Sequence, residues 1–169
     1  NFTDFHPLGV VLVAMLGVGV AERSGLIAAI LRLVAVITPS KLLTPAMVFL
    51  GVQSSMAADA GYVVLPPLAA LIFARYGRSP LVGIAAVFAG VAGGFSANLL
   101  VTSLDPLLSG LTQQAAQLLK EDRQVLATSN WYFMIVSTLL LTLVGWFVTS
   151  RFIESRFSKA DVDEQLAAG

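Results

Sequence analysis

The run Gly93-Gly94-Phe95-Ser96-Ala97-Asn98-Leu99-Leu100-Val101-Thr102-Ser103-Leu104-Asp105-Pro106 decides how this chain folds. It closes an uncharged stretch, 79–104, that is long enough to cross a bilayer, since a hydrocarbon core of about 30 Å needs about 20 helical residues. Ser79-Pro80 opens that stretch as N-cap and first helical residue, and Ala86, Gly90 and Gly94 then leave a smooth face against which another helix can pack. Glycines, hydroxyls, Asn98, Asp105 and Pro106 follow at the depth where a plain span would be most apolar. The order predicts a helix interrupted near its middle and restarting at Pro106, because backbone freed from a helix at membrane depth is tolerated only where protein or water satisfies it.

The rest of the composition supports a membrane setting. Of 169 residues, 57% are hydrophobic and 12% charged, against roughly 45–50% and about 25% in an ordinary soluble domain. Ten Lys and Arg balance ten Asp and Glu, which gives no electrostatic basis for nucleic acid binding. The absence of cysteine excludes thiolate catalysis, disulfides and Cys-based metal sites, and the single His6 excludes a His-rich cluster. The chain begins at Asn1 with no basic signal-peptide region, so a segment of a longer protein is expected.

Working outward, residues 1–40 read as transmembrane helices, two apolar pieces meeting at Glu22 to Gly25. Residues 41–78 read as a re-entrant helical hairpin. Thr44-Pro45 supplies a cap and first turn, Ser54 to Gly61 a polar tip, and each limb of about 15 residues reaches only about 22 Å. Pro66-Pro67 predicts a further interruption in the returning limb. Residues 79–119 form the broken helix, whose second half carries Gln113, Gln114 and Gln117 on one side, as suits a protein-lined or aqueous face. Residues 120–157 read as a simple span, with Thr128-Ser129-Asn130 as cap and Trp131 and Trp146 as belt anchors, and 158–169 as a polar loop. If 79–119 crosses once and 124–150 crosses back, Lys41, Arg75, Arg78, Arg151, Arg156 and Lys159 share one side, facing only Lys120 and Arg123. The positive-inside tendency makes that side cytoplasmic.

The fold expected is thus an all-α polytopic membrane protein in which a re-entrant hairpin precedes a broken transmembrane helix. That pair is the recurring half of an inverted-repeat secondary transporter, where helix ends and unwound backbone replace the water of a solute or coupling ion. Asp105 is the first choice for a proton carrier, since an ionisable residue inside a membrane marks function by default; it can equally cap the second half-helix with Pro106 at its first position. Asp59 at the hairpin tip can meet substrate or ion, or simply satisfy loop amides. Ser54, Ser55, Gly61, Gly94, Ser96, Asn98, Thr102 and Ser103 offer donors, acceptors or exposed backbone for a polar solute, with Na⁺ near Ser54 and Asn98 an option; hydroxyls in membrane helices also bond to their own preceding turn. Glu22-Arg23 reads as a water interface before a gate, and His6 as an interfacial residue.

Three runs carry a family resemblance: Leu16-Gly-Val-Gly-Val-Ala-Glu-Arg-Ser-Gly25, Ser54-Ser-Met-Ala-Ala-Asp-Ala-Gly-Tyr-Val-Val-Leu-Pro-Pro67 and Ala92-Gly-Gly-Phe-Ser-Ala-Asn-Leu-Leu-Val-Thr-Ser-Leu-Asp-Pro106. The chain resembles the N-terminal-half portion of the AbgT family of p-aminobenzoyl-glutamate transporters. The resemblance implies a homodimeric, multi-pass transporter of the bacterial inner membrane with two opposed hairpins around a substrate site. It implies p-aminobenzoyl-glutamate or sulfonamide antimetabolites as cargo and proton-driven export as the mode. Asp105 would match an acidic residue important for transport, and the second hairpin and second broken helix would lie outside this chain.

Rival readings fit less well. Na⁺-coupled uptake of p-aminobenzoyl-glutamate or another carboxylate is the alternative within transport, so the coupling ion is H⁺ or Na⁺, with no other cofactor expected. An intramembrane aspartyl protease could share a proton between two aspartates, but Ala58-Asp59-Ala60 and Leu104-Asp105-Pro106 lack the motif context of such enzymes. No Gly-x-Ser-Gly is present for a rhomboid-type serine enzyme. A passive channel would show conductance rather than saturable, gradient-coupled flux.

Overall fold

A computed structural model describes residues 37–54, 60–95, 97–102, 104–120, 122–157 and 162–164, with isolated positions (13, 16, 17, 19, 20, 23–26, 29 and 33) of the first segment. The described elements are helical: α1 (Leu43–Gln53), α2 (Ala60–Arg75), α3 (Pro80–Gly94), α4 (Leu104–Leu119) and α5 (Trp131–Val148). The two expected helices before Thr38 lie largely outside the described residues, as do His6, Glu22 and the tip residues Ser55 to Asp59.

Helix α1 is entered through a 3-10 turn, Ser40–Leu42, and begins before Thr44. The expected Thr44 cap is therefore corrected: Thr44 and Pro45 both lie inside the first turn, where a missing proline N–H costs nothing because that N–H has no partner within the helix. The Thr44 hydroxyl instead accepts a hydrogen bond from Arg78. Helix α2 also departs from expectation, running unbroken through Pro66 and Pro67. Each proline removes one bond to the carbonyl four residues back, but Leu65, Ala69 and Phe73 are fully buried along the same helix, and that packing holds the axis together. Its C-terminus is a Schellman turn, with Gly77 at φ 66, Arg78 N–H donating to the Phe73 carbonyl and Gly77 N–H to that of Ala74.

Close backbone approach sets the register of the bundle. Gly51 of α1 faces Gly90 of α3 so tightly that a Cβ on Gly51 would lie 2.6 Å from the Val87 carbonyl oxygen and 3.0 Å from the Gly90 Cα. Farther along, a Cβ on Gly94 would lie 2.9 Å from the Cα of Val52. Contacts that advance together along both chains make α1 and α3 parallel. The small-residue face predicted at Ala86, Gly90 and Gly94 is the face used, as expected where lipid is as apolar as the helices and close packing must supply the attraction. Helix α2 packs on α3 and runs antiparallel to it, since Tyr62 stacks edge-on with Phe88 at 5.5 Å while a Cβ on Gly83 would meet Ala69 and Phe73.

Helix α5 continues through a π-turn (Thr149–Ile153) and a 3-10 turn (Glu154–Arg156), giving one unbroken rod, Trp131–Arg156, of 26 residues. At 1.5 Å per residue that is about 39 Å, and among the described residues it is the helix long and apolar enough to cross a membrane. Residues 79–104 do not form a second such helix, because α3 stops after 15 residues. Val48 of α1 packs against Gly145, and Glu154 reaches Arg78, so α5 runs antiparallel to α1 and α3.

Candidate functional site

These directions divide the bundle into two ends. One gathers Thr44, Arg78 and Glu154 and, beside them in the same elements, Lys41, Arg75, Arg151 and Arg156. The other gathers the close of α1, the close of α3 and the start of α5. The close of α1 and the helix interruption therefore belong to the same end.

Arg78 closes the first end. Its Nε and Nη2 each donate to a different carboxylate oxygen of Glu154, both at 2.7 Å, and Nη2 also reaches the Thr44 hydroxyl. The guanidinium lies 4.4 Å from the centre of the Phe73 ring. A planar, bidentate, partly buried pair of this kind is worth more than an ordinary surface ion pair, because both charges keep their hydrogen bonds as water is withdrawn. A cavity of about 300 Å³ opens beside it, lined by Gly77, Ser79, Val82 and Phe157 as well as the pair.

At the opposite end α3 stops at Gly94 and Phe95 adopts φ 45 and ψ −104, backbone normally left to glycine. Ala97 N–H turns back onto the Gly94 carbonyl at 2.8 Å. Asn98 is buried, at 2% exposure, as is Ser54 at the end of α1. Ser54 Oγ donates to the Gly51 carbonyl at 2.7 Å, so its proton is spent on its own helix and the oxygen is left the role of an acceptor. Gly94 is buried against Val52 and contributes close packing at this level.

The expected restart at Pro106 is corrected. Helix α4 begins at Leu104, so Asp105 sits within its first turn instead of ahead of it. Its Oδ2 accepts from the Thr102 N–H at 2.6 Å and from the Thr102 hydroxyl at 3.1 Å. This is the reach-back half of a capping box, in which a first-turn acid satisfies the backbone three residues earlier. Pro106 has no N–H to give to the Thr102 carbonyl, and Asp105 N–H takes that acceptor at 3.3 Å.

Trp131, read from sequence as a belt anchor, has a further task. Its indole Nε1–H donates to the Leu99 carbonyl at 2.8 Å, joining the first residue of α5 to the interruption. The interruption consequently stands level with the start of α5, where the sequence predicted a break near the middle of the crossing. Gln113 likewise does more than line an aqueous face: its side-chain amide donates to the Arg123 carbonyl and accepts from the Val125 N–H, fastening the link between α4 and α5.

Of the residues singled out from sequence, Ser54, Gly94, Asn98, Thr102 and Asp105 thus fall at or beside one end of the bundle, and Gly61 lies in the first turn of α2. Ser55, Asp59, Ser96 and Ser103 lie outside the described residues. Glu154 and the Trp131 donor were not foreseen. Arg78 and Glu154 are 76 positions apart, and no local pattern announces such a pair.

The AbgT putative transporter family matches residues 1–168. The p-aminobenzoyl-glutamate transport protein of Escherichia coli (strain K12) is 40% identical over 168 residues, 98% of this chain and 33% of that protein. Among solved structures, the Alcanivorax borkumensis YdaH transporter, described as having an unusual topology, superposes with a TM-score of 0.86 at 51% identity, covering 93% of this chain and 33% of that one. Neisseria gonorrhoeae MtrF, described with a class of antimetabolite efflux pumps, gives a TM-score of 0.84 at 49% identity, covering 98% and 34%. The chain spans about a third of the length of these relatives. They are named as transporters, and the aspartyl protease reading is not favoured. A match along almost its whole length, in sequence and in structure, means that the chain belongs to the AbgT putative transporter family.

Proposed function

We propose that the protein containing this chain is a secondary active transporter of the bacterial inner membrane that exports p-aminobenzoyl-glutamate or sulfonamide-type antimetabolites in exchange for protons, as a homodimer. The observation that carries the reading is the convergence at one end of the bundle. The buried Ser54 that closes α1, the buried Asn98 of the interruption and the Thr102–Asp105 turn lie at or beside that one end. Two interrupted elements at one level supply fixed dipoles to a dehydrating solute without the cost of a fully buried ion.

In this reading α1 and α2 are the limbs of a re-entrant hairpin. Their 11 and 16 residues reach about 17 and 24 Å, each short of a 30 Å core. Asp105 carries the proton, and Asn98 with the Ser54 oxygen meets the solute. A second, inverted copy of the arrangement, supplied by the remainder of the protein, completes the site. The 169 residues alone are then expected to show no transport, and solute flux from the purified chain in liposomes would overturn that.

The deciding experiment measures labelled p-aminobenzoyl-glutamate and a labelled sulfonamide in cells carrying the full-length parent protein or its Asp105→Asn form, with and without a protonophore. Lower accumulation with the unaltered protein, abolished by the substitution and by the protonophore, is the expected result. Accumulation that rises with the unaltered protein and follows a Na⁺ gradient would replace proton export with sodium-coupled uptake. Unchanged levels of both solutes in every condition would remove the cargo assignment.

A further inference from the structure

We propose that Trp131 is a positioning residue for transport: by donating its indole N–H to the Leu99 carbonyl it fixes the backbone of the interruption relative to the spanning helix. Two short-range bonds close the described part of the interruption. At one end Ala97 N–H bonds to the Gly94 carbonyl, three residues away. At the other, Thr102 bonds to Asp105, again three residues away. Both contacts are local and travel with their own helix.

The Trp131 bond is different in kind. It links positions 32 apart and joins the interruption to a different element at 2.8 Å. A carbonyl with a fixed donor on one lone pair also has a fixed direction for the other. Trp131 is the first residue of α5 and its ring rests on Tyr132, with centroids 5.8 Å apart, so the donor is carried by the rigid start of the longest rod in the bundle. The buried Asn98 is the residue before Leu99, so only the two backbone torsions of Leu99 separate its peptide from the plane that Trp131 holds. A movement of the start of α5 is passed to the Leu99 carbonyl through this contact.

The inference rests on the transport reading, and the experiment separates the two. In the full-length parent protein, Trp131→Phe keeps an aromatic ring and removes the donor, while Trp146→Phe makes the same change at the far end of the same helix. Loss of one net hydrogen bond predicts a rise in KM for solute of roughly fivefold for Trp131→Phe with the maximal rate little altered. Hydrogen exchange is expected to quicken in residues 97–102 and to stay unchanged in α1 and α3. Trp146→Phe should move neither quantity.

Wild-type exchange in residues 97–102 of Trp131→Phe would overturn the proposal, as would faster exchange there with an unaltered KM. Loss of protection spread evenly through the chain would also count against it, since Trp131 would then serve stability alone. Should the unaltered protein move neither solute, the cargo assignment fails in that control, and the exchange comparison still decides whether Trp131 holds the interruption.

Discussion

At the Arg78 end of the bundle a single guanidinium bonds to Glu154 and Thr44 and covers Phe73, tying α1, α2 and the far end of α5 together. At the Asn98 end the backbone leaves its helix through a strained Phe95, turns on local bonds and is joined to α5 by an indole N–H. The first end uses charge-assisted bonds that hold one geometry. The second uses short-range turns, one indole N–H and interrupted backbone, which are easier to rearrange. A transporter needs both properties, and this chain separates them along the helix axis, with the tight Gly51–Gly90 crossing between.

The largest expected effect tests that crossing. Gly90→Leu places a Cβ against the Val48 carbonyl and the Gly51 backbone, where backbone cannot yield cheaply, and should destabilise the protein by about 3 kcal/mol or more. Gly93→Leu, three positions on, meets nothing within 4 Å and should change stability by less than about 1 kcal/mol. Thermal unfolding of the detergent-solubilised parent protein compares them directly; equal losses would mean that helix propensity, not close approach, governs α3.

Next in size is the charged end. Arg78→Ala removes both bonds to Glu154, the Thr44 contact and the cover over Phe73, for an expected loss of about 2 kcal/mol. Glu154→Ala leaves the guanidinium with the Thr44 hydroxyl and the Phe73 ring and should cost a similar amount. The double variant should cost less than the sum, because each single change already breaks the shared pair. Additive losses would show that the two side chains act separately and that the lock is only apparent.

Sequence reading succeeded where the signal is local and failed where it is tertiary. Ser79-Pro80 at the start of α3, Gly94 at its end and the Ala86–Gly90–Gly94 face are written in short-range chemistry that a helix must obey. Pro66-Pro67 misled for the complementary reason: local breakers were overridden by the burial of Leu65, Ala69 and Phe73 on α3. Asp105 was legible as a cap but not as a cap reaching backward, since a first-turn acid and an N-cap acid look alike beside a proline. The bonds that define the two ends, Arg78 to Glu154 and Trp131 to Leu99, join positions 76 and 32 apart and have no periodicity to betray them.

A smaller effect of opposite sign sharpens the contrast between the ends. Phe95 is 82% exposed and holds φ 45, so its side chain stabilises little while its Cβ strains the turn. Phe95→Gly relieves strain on the order of 1–3 kcal/mol and gives back part of it through the freer unfolded chain. The net gain should be about 1 kcal/mol, seen as a raised unfolding temperature. A loss instead would show that the Phe95 ring is covered by the remainder of the protein and anchors the interruption there.

The smallest change expected concerns Gln113. Its amide holds the Arg123 and Val125 backbone as a neighbouring strand would, but the first of these bonds is exposed and the second only part-buried, so water can replace much of what they supply. Gln113→Ala should therefore cost only about 0.5 kcal/mol globally, while hydrogen exchange at Val125 quickens well beyond that of α1 or α3. The local readout matters more than the global one. If Val125 exchange is unmoved, the link between α4 and α5 is held by its own turns, and α4 follows the interruption alone; if it quickens, α4 is coupled to α5 by two routes, through Gln113 and through Trp131.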